Sequence, residues 1–213
     1  TRWVHPVSQA VSAALSSDAQ GVCAVASLDA LRRELPDAEV GETLVVIAQG
    51  RDPGNVGTII RTADAFGARA VIAVAGTVDA ASPKVVRSSA GSVFHLPVCL
   101  VPSFAEARDL IHGRGAALLG TSGGSGSLDL ADLLVEGISS RSRLSQSHAW
   151  AFGNEARGLS AEEMRACDGL VAIPMTGRAE SLNVASAAAT CLFASQTVRG
   201  RTPSRPRVGG LRD

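Results

Sequence analysis

The chain has no tyrosine, a single lysine and no net charge, and each lack narrows what it can be. Aromatic residues make up only 3% of its 213 residues, so the core must be built from Ala, Val, Leu and Ile. A formal charge of zero gives no global signal for nucleic acid. Lys84 is the only lysine, which leaves arginine at the other 19 of 20 basic positions. Arginine forks suit phosphate, but a GC-rich genome produces the same bias and is the preferred cause. The four cysteines, Cys23, Cys99, Cys167 and Cys191, form no CxxC pair. Their scatter argues against a zinc site or a disulfide scaffold and fits a reducing cytoplasm. His5, His95, His112 and His148 show no metal-ligand spacing, so no metal is expected. No signal-peptide pattern is present. The longest low-charge run, 182–198, holds Asn183, Ser186, Thr190, Ser195, Gln196 and Thr197. Those polar groups exclude a membrane span, and the run reads as a buried helix. The first residue is Thr1, not methionine, as expected of a processed chain or of part of a longer one.

Nucleotide-binding fingerprints are missing too. In the glycine-rich stretch Gly120–Gly126 the GxGxxG spacing fails because Asp129 holds its last place. A Walker loop needs GK[ST], yet Lys84 follows Pro83. Neither NAD nor ATP binding is supported.

What is present is a parallel α/β pattern. Residues 46–173 alternate short apolar runs with helical periodicity. Strands are predicted at Leu44–Ala48, Ala70–Val74, Val98–Val101, Ala117–Gly120, Ala149–Phe152 and Leu170–Ile173. Helices are predicted at Val56–Phe66, Pro83–Ser89, Phe104–His112, Ala161–Ala166 and Leu182–Val198. Gly67 and Gly113 read as helix stops. Ser103 with Glu106 and Ser160 with Glu163 read as capping boxes. Residues 1–42 break the repeat, with helices at Val7–Leu15 and Leu28–Leu35 and a short strand at Val22–Ala26. Residues 121–148 read as polar, flexible stretches flanking an apolar segment at 128–134. The end of the chain, 198–213, carries five arginines and two prolines. It is expected to be flexible, either as a solvated end or as an arm that grasps RNA.

Three loop-to-helix stretches carry the chemistry: DPGNVGTIIRTADAFGA at 52–68, AFGNEARGL at 151–159 and IPMTGRAESLNVASAAA at 173–189. Parallel α/β folds put ligands at such loops. Their polar residues are Asn55, Arg61, Asn154, Glu155, Glu180, Ser181 and Asn183. Taken alone, Asn55 is an N-cap, Arg61 an exposed charge, and Glu155 a favourable acid near a helix N-terminus. Together and in this order, across roughly 45–197, the three resemble the SpoU (TrmH-like) branch of the SPOUT RNA methyltransferases. Ala156 departs from that pattern, where glycine is usual, and weakens the case for a positive φ there. A further segment, SPKVVRSSAGSVFHLPV at 82–98, resembles a family edge with Arg87, Ser89 and Gly91 facing substrate. His95 reads as a packed residue before a strand.

The resemblance implies a parallel sheet with helices on both faces and a C-terminal trefoil knot. It implies methyl transfer from S-adenosylmethionine to a ribose 2′-hydroxyl of structured RNA, with ribosomal RNA preferred to transfer RNA. By resemblance the catalytic residues are Arg61, Asn55, Glu155 and Asn183. The cofactor residues are Thr121, Gly153, Ile173, Met175, Ser181, Leu182 and Asn183, and the RNA contacts are Asn55, Arg61 and Arg87. Residues 1–42 are expected to be a remnant of an N-terminal RNA-binding domain plus linker, 43–198 the methyltransferase domain, and 199–213 an Arg-rich tail. A homodimer is expected through Leu182–Val198, where the small residues Ala185–Ala189 suit either close packing or plain helix propensity. A non-catalytic RNA-binding module is the alternative from another class. Base methylation by another SPOUT branch lacks sequence support.

Overall fold

The computed structural model describes residues 4–16, 21–31, 34–124, 126–138 and 143–200. Contacts divide the chain into residues 1–30 and 31–213. In the first unit, α1 (Gln9–Leu15) is capped by Ser8, whose hydroxyl accepts from the Val11 amide, and none of its residues is buried. Residues 22–27 carry no regular structure, in place of the expected strand at Val22–Ala26. A strand needs a partner for its ladder, and no strand of the described residues pairs with this stretch. The expected helix at Leu28–Leu35 is reduced to a single 3-10 turn at Leu28–Ala30, with residues 32 and 33 outside those described.

The second unit runs β1 (Thr43–Ile47), α2 (Pro53–Ala65), β2 (Val71–Val74), α3 (Pro83–Ser88), β3 (Val98–Val101), α4 (Phe104–Gly113), β4 (Ala117–Thr121) and β5 (Leu128–Asp129). It continues with α5 (Leu130–Ile138), β6 (His148–Phe152), α6 (Ala161–Ala166), β7 (Gly169–Ala172) and α7 (Val184–Arg199). Among the described residues seven strands form one sheet in the order β3-β2-β1-β6-β4-β7-β5, and every pair is parallel. A parallel strand buried on both faces is apolar at nearly every position, which is why β1 and β6 read as continuous hydrophobic runs. Val45, Ile47, Trp150 and Phe152 meet α2, α3, α5 and α7 on one face. Leu44, Val46, Ala149 and Ala151 meet α4 and α6 on the other. Helices therefore cover both faces, as predicted.

Most elements fall within two residues of the prediction, and the differences have local causes. β5 and α5 occupy 128–138, where only a short apolar segment between flexible stretches was expected. Leu130 and Leu133 of α5 are buried in the main core. The N-cap of α2 is Asp52, not Asn55: its carboxylate accepts from the Gly54 amide at 2.6 Å, and Pro53 opens the helix. Gly67 ends α2 with φ 73°. Gly113 lies inside α4, and the left-handed residue that ends that helix is Gly115, φ 69°. Ser160 and Glu163 form a complete capping box. Ser103 accepts from the Glu106 amide, but its hydroxyl instead of its amide meets the Glu106 carboxylate. Residues 201–213 of the expected Arg-rich tail lie outside the described residues.

Polar bonds fasten the N-terminal edge of the sheet. Arg114 grips the buried Glu42 with two bonds, of 2.7 and 2.8 Å, and donates a third to the Pro36 carbonyl. Arg199 donates to the Thr43 hydroxyl at 2.7 Å, tying the end of α7 to β1. Between β6 and α7, the Ser195 hydroxyl accepts from Trp150 Nε1 at 2.8 Å and lies 2.7 Å from His148 Nε2. His148 Nδ1 faces the Gln146 carbonyl at 2.8 Å, so the neutral ring carries its proton on Nδ1 and accepts at Nε2. Burial, aided by the charge of Arg199, lowers the His148 pKa to about 4.

This histidine makes stability depend on pH. The unfolded chain binds its proton near pH 6.5 while the folded chain resists until about 4, so stability is full above pH 6.5 and declines as pH falls toward 4. Urea denaturation is expected to show a loss on the order of 3 kcal/mol from this group over that window. The variant His148→Gln should flatten that part of the profile, and an unchanged profile would refute the assignment.

Candidate active site

The sheet order brings the three sequence motifs together. The C-terminal end of β1 leads into the first motif, that of β6 into the second, and β7 into the third. β6 lies directly beside β1, and β7 lies beside β4. Hydrogen bonds then join the loops. Asn183, the N-cap of α7, accepts from the amides of Ala185 and Ser186, and its Nδ2 donates to Asn55 Oδ1 at 3.0 Å. The Glu155 carboxylate accepts from the Asp52 amide at 3.2 Å. Asn154 Nδ2 reaches the Gln49 carbonyl at 3.4 Å.

These bonds revise individual roles. Asn55 sits in the first turn of α2, with its oxygen engaged by Asn183, so its amide nitrogen is left to donate. Glu155 holds the entry to α2 and makes no hydrogen bond or ion pair with Arg61 among the described residues. Arg61 stands exposed two turns along α2 and makes no hydrogen bond or ion pair among the described residues. Arg87 is exposed on α3, whereas Ser89 is wholly buried, its hydroxyl donating to the Val86 carbonyl, so Ser89 does not face substrate. His95 is exposed and meets Asp64 at 3.2 Å, instead of packing before β3.

The second motif depends on close backbone approach. Asn154 and Gly158 exchange two backbone bonds, at 3.0 and 2.7 Å, and fold the loop back on itself. A Cβ on Gly153 would collide with the backbone of Gly158 and Leu159. Gly158 supplies the left-handed turn at φ 66°, and Ala156 needs no positive φ, so the loop accepts alanine there. The Ala156 amide donates to Asn154 Oδ1 at 3.0 Å.

At the strand ends the remaining expected residues differ in setting. Thr121 closes β4, and its hydroxyl donates to the Ala151 carbonyl at 3.2 Å. Ile173 is partly buried against the main core. Ser181 is exposed, and Met175 and Leu182 are each 42% exposed, large apolar side chains on loops that leave them uncovered. Such surface beside backbone donors and acceptors suits the ring and chain of a nucleoside ligand. The thiols of Cys99, Cys167 and Cys191 are poor nucleophiles, since burial, complete or partial, lifts Cys99 to about 11, Cys167 to about 12 and Cys191 higher still.

Residues 42–193 match the SpoU rRNA Methylase family. The chain belongs to this family. It is 40% identical over 169 residues to a 23S rRNA (uridine(2479)-2′-O)-methyltransferase of Streptomyces viridochromogenes, covering 76% of this chain and 55% of that protein. It is 35% identical over 200 residues to the 23S rRNA (guanosine-2′-O-)-methyltransferase RlmB of Bordetella pertussis, covering 91% of this chain and 78% of that protein. The crystal structure of the SpoU methyltransferase AviRb from Streptomyces viridochromogenes, in complex with AdoMet, superposes with a TM-score of 0.67 at 36% identity, covering 84% of this chain and 66% of that one.

Two junction residues of this SpoU family chain escaped the sequence reading. Asp52 caps α2 and receives Glu155 through its amide; the Asp-Pro pair at the helix start was the available signal. Gln49 accepts from Asn154 through its carbonyl and from Arg157 through its side chain at 3.4 Å, and no local pattern marks it. Because the obstacle at Gly153 is backbone, Gly153→Ala is expected to destabilise the fold by about 1–3 kcal/mol. Urea denaturation checks this, and a variant as stable as the parent would show that the loop can yield.

Proposed function

We propose that the chain transfers a methyl group from S-adenosylmethionine to a ribose 2′-hydroxyl of structured ribosomal RNA. The observation that carries this reading is the motif junction, where Asn183 bonds Asn55 and Arg61 stands exposed on the same helix. Ribosomal RNA is preferred to transfer RNA because the Streptomyces and Bordetella relatives are named for 23S rRNA.

In this reading Gly153, Ile173 and Leu182 hold the cofactor, with Thr121, Met175, Ser181 and Asn183 beside them. The half-exposed Leu182 and Met175 and the tight backbone at Gly153 fit an adenosine moiety read through main-chain groups. When bound, S-adenosylmethionine supplies an electrophilic methyl group. The chain's own task is the acceptor oxygen. Arg61 does not readily give up a proton, so it acts as a cation beside the developing alkoxide and the neighbouring phosphate. The proton leaves to a phosphate oxygen or to water. Asn55 adds an amide donor. Asn183 and Glu155 act as positioning residues, through Asn55 and the Asp52 amide respectively. Asn55, Arg61 and Arg87 contact RNA.

The reading extends to architecture. A trefoil knot is supported by β7 lying between β4 and β5, both earlier in the chain, before the chain crosses to α7, which packs with α2 and α5 in the main core. Residues 43–198 act as the methyltransferase domain, and 1–42 belong to an RNA-binding segment with its linker. A cytoplasmic place suits an RNA substrate; among the described residues no helix is long and apolar enough to cross a membrane. A homodimer is supported by the exposed side of α7, where Phe193 is 53% exposed beside Ser186 and Thr190.

Labelled S-adenosylmethionine and protein-free 23S ribosomal RNA test the activity. Nuclease digestion and mass spectrometry should find the label on ribose, and label on a base, or none, would refute the reading. Arg61→Ala should lower the rate by roughly 10²–10³ while calorimetry finds cofactor affinity little changed. Arg61→Lys should also be poor, since a point charge cannot copy the fork; full activity in the lysine variant would remove the bidentate argument. Sedimentation at micromolar concentration should find a dimer, shifted toward monomer by Phe193→Glu. A monomeric parent that still turns over would overturn the dimer.

A further inference from the structure

The convergence of the first two motifs leaves a basic edge that the methyl-transfer scheme does not use. Arg157 Nη2 meets Gln49 Oε1 at 3.4 Å, and Lys84 Nζ lies 3.9 Å from Asp52 Oδ1. Arg51 lies between those two anchor points in the chain, exposed, and makes no hydrogen bond or ion pair among the described residues. The four residues 49–52 span at most about 11 Å of chain, so three cations from three elements gather around one short segment.

The two acids bonded at this segment are already committed. Asp52 accepts from the Gly54 amide at 2.6 Å, and Glu155 accepts from the Asp52 amide at 3.2 Å. Among the groups bonded to this segment or lying on it, three cations stand against two acids, in a chain whose formal charge is zero. Among the described residues the Lys84 side chain, itself 64% exposed, is held only by an exposed, long ion pair, and such a pair exchanges readily for a stronger anion. Its helix, by contrast, is fixed. The Ser88 hydroxyl of α3 donates to the Pro53 carbonyl in the first turn of α2 at 2.9 Å. Gly57 allows that approach, because a side chain there would run into Ser88 and the Val85 carbonyl. Lys84 is thus a movable ammonium on a rigid mount. In a chain whose other Lys/Arg positions are all arginine, the single lysine stands at this edge. A flexible point charge can meet phosphate oxygens without a set angle, while the flanking arginine forks fix direction.

We propose that Arg51, Lys84 and Arg157 form one edge that grips the phosphate backbone of the substrate RNA next to the acceptor ribose. This rests on the RNA-methyltransferase reading and adds the place where the RNA strand lies. The occupant is RNA backbone and not an acidic protein because the edge is continuous with the acceptor junction. Asp52, which meets Lys84, also receives Glu155, and it opens the helix that carries Asn55 and Arg61.

The single lysine makes the test direct. In this chain an amine-acetylating reagent can modify only Lys84 and the terminal amine, and mass spectrometry separates the two. Protein-free 23S ribosomal RNA at low salt should slow acetylation of Lys84 several-fold relative to the terminal amine, and raised salt should remove the protection. In filter binding, Arg51→Gln, Lys84→Gln and Arg157→Gln should each make the plot of log affinity against log salt shallower by roughly 0.7–0.9. Urea midpoints near the parent's would show that these variants fold. Unchanged Lys84 reactivity with unchanged salt slopes overturns the edge. It overturns the edge alone if the same mixture, given labelled S-adenosylmethionine, yields methylated RNA, and it overturns the activity reading as well if no methyl group is transferred.

Discussion

The site depends on where β6 enters the sheet. Strands β1, β2 and β3 are laid outward in chain order, but β6 lies between β1 and β4, and β7 lies between β4 and β5. A parallel sheet aligns the C-terminal ends of its strands, so inserting β6 beside β1 forces the second motif against the first. The third motif follows from β7 and the return of the chain to α7. Without that order, Asn55 and Asn183, 128 residues apart in sequence, would not share a hydrogen bond.

The opposite edge of the sheet carries the complementary duty. Its bonds hold the ends of elements whose other ends build the site: Arg199 to Thr43, Arg114 to Glu42, and Ser195 with His148 and Trp150. The helix α7 begins at the Asn183 cap and ends at Arg199. A rigid rod fixed at its far end through buried polar groups places its cap with little freedom. Buried polar groups that are fully bonded confer such uniqueness, because breaking one leaves an unpaired partner in a low-dielectric interior.

Glycines set the close contacts where the motifs meet. Gly153 lets the second loop fold onto Gly158 and Leu159, and Gly57 lets α3 approach α2. Few polar side chains need to be exact when backbone contact supplies the precision. This explains why the motif tolerates Ala156, whose backbone is not left-handed, while the neighbouring glycines have contacts or φ values that a side chain would disturb.

Much of this was legible in the residues. Short apolar runs gave six of the seven described strands, and β1, β2 and β6 are apolar almost throughout because they are buried on both faces. Local capping chemistry gave the complete box at Ser160 and the stop at Gly67. The order of three motifs identified the family and named Asn55, Arg61, Glu155 and Asn183 as a group. Tertiary structure decided the rest. β5 has only two residues, and α5 was hidden because its flanks are glycine- and serine-rich, so only the sheet edge and the contact with α7 give them a role. Ser89 and His95 exchanged their expected places, one buried and the other exposed, because burial depends on which helix lies above a residue and not on its neighbours in sequence. The partners of Glu155, Asn183 and Lys84 were likewise invisible beforehand. Sequence spacing reports which side chains lie on one face of one element; only the strand order reports which elements meet.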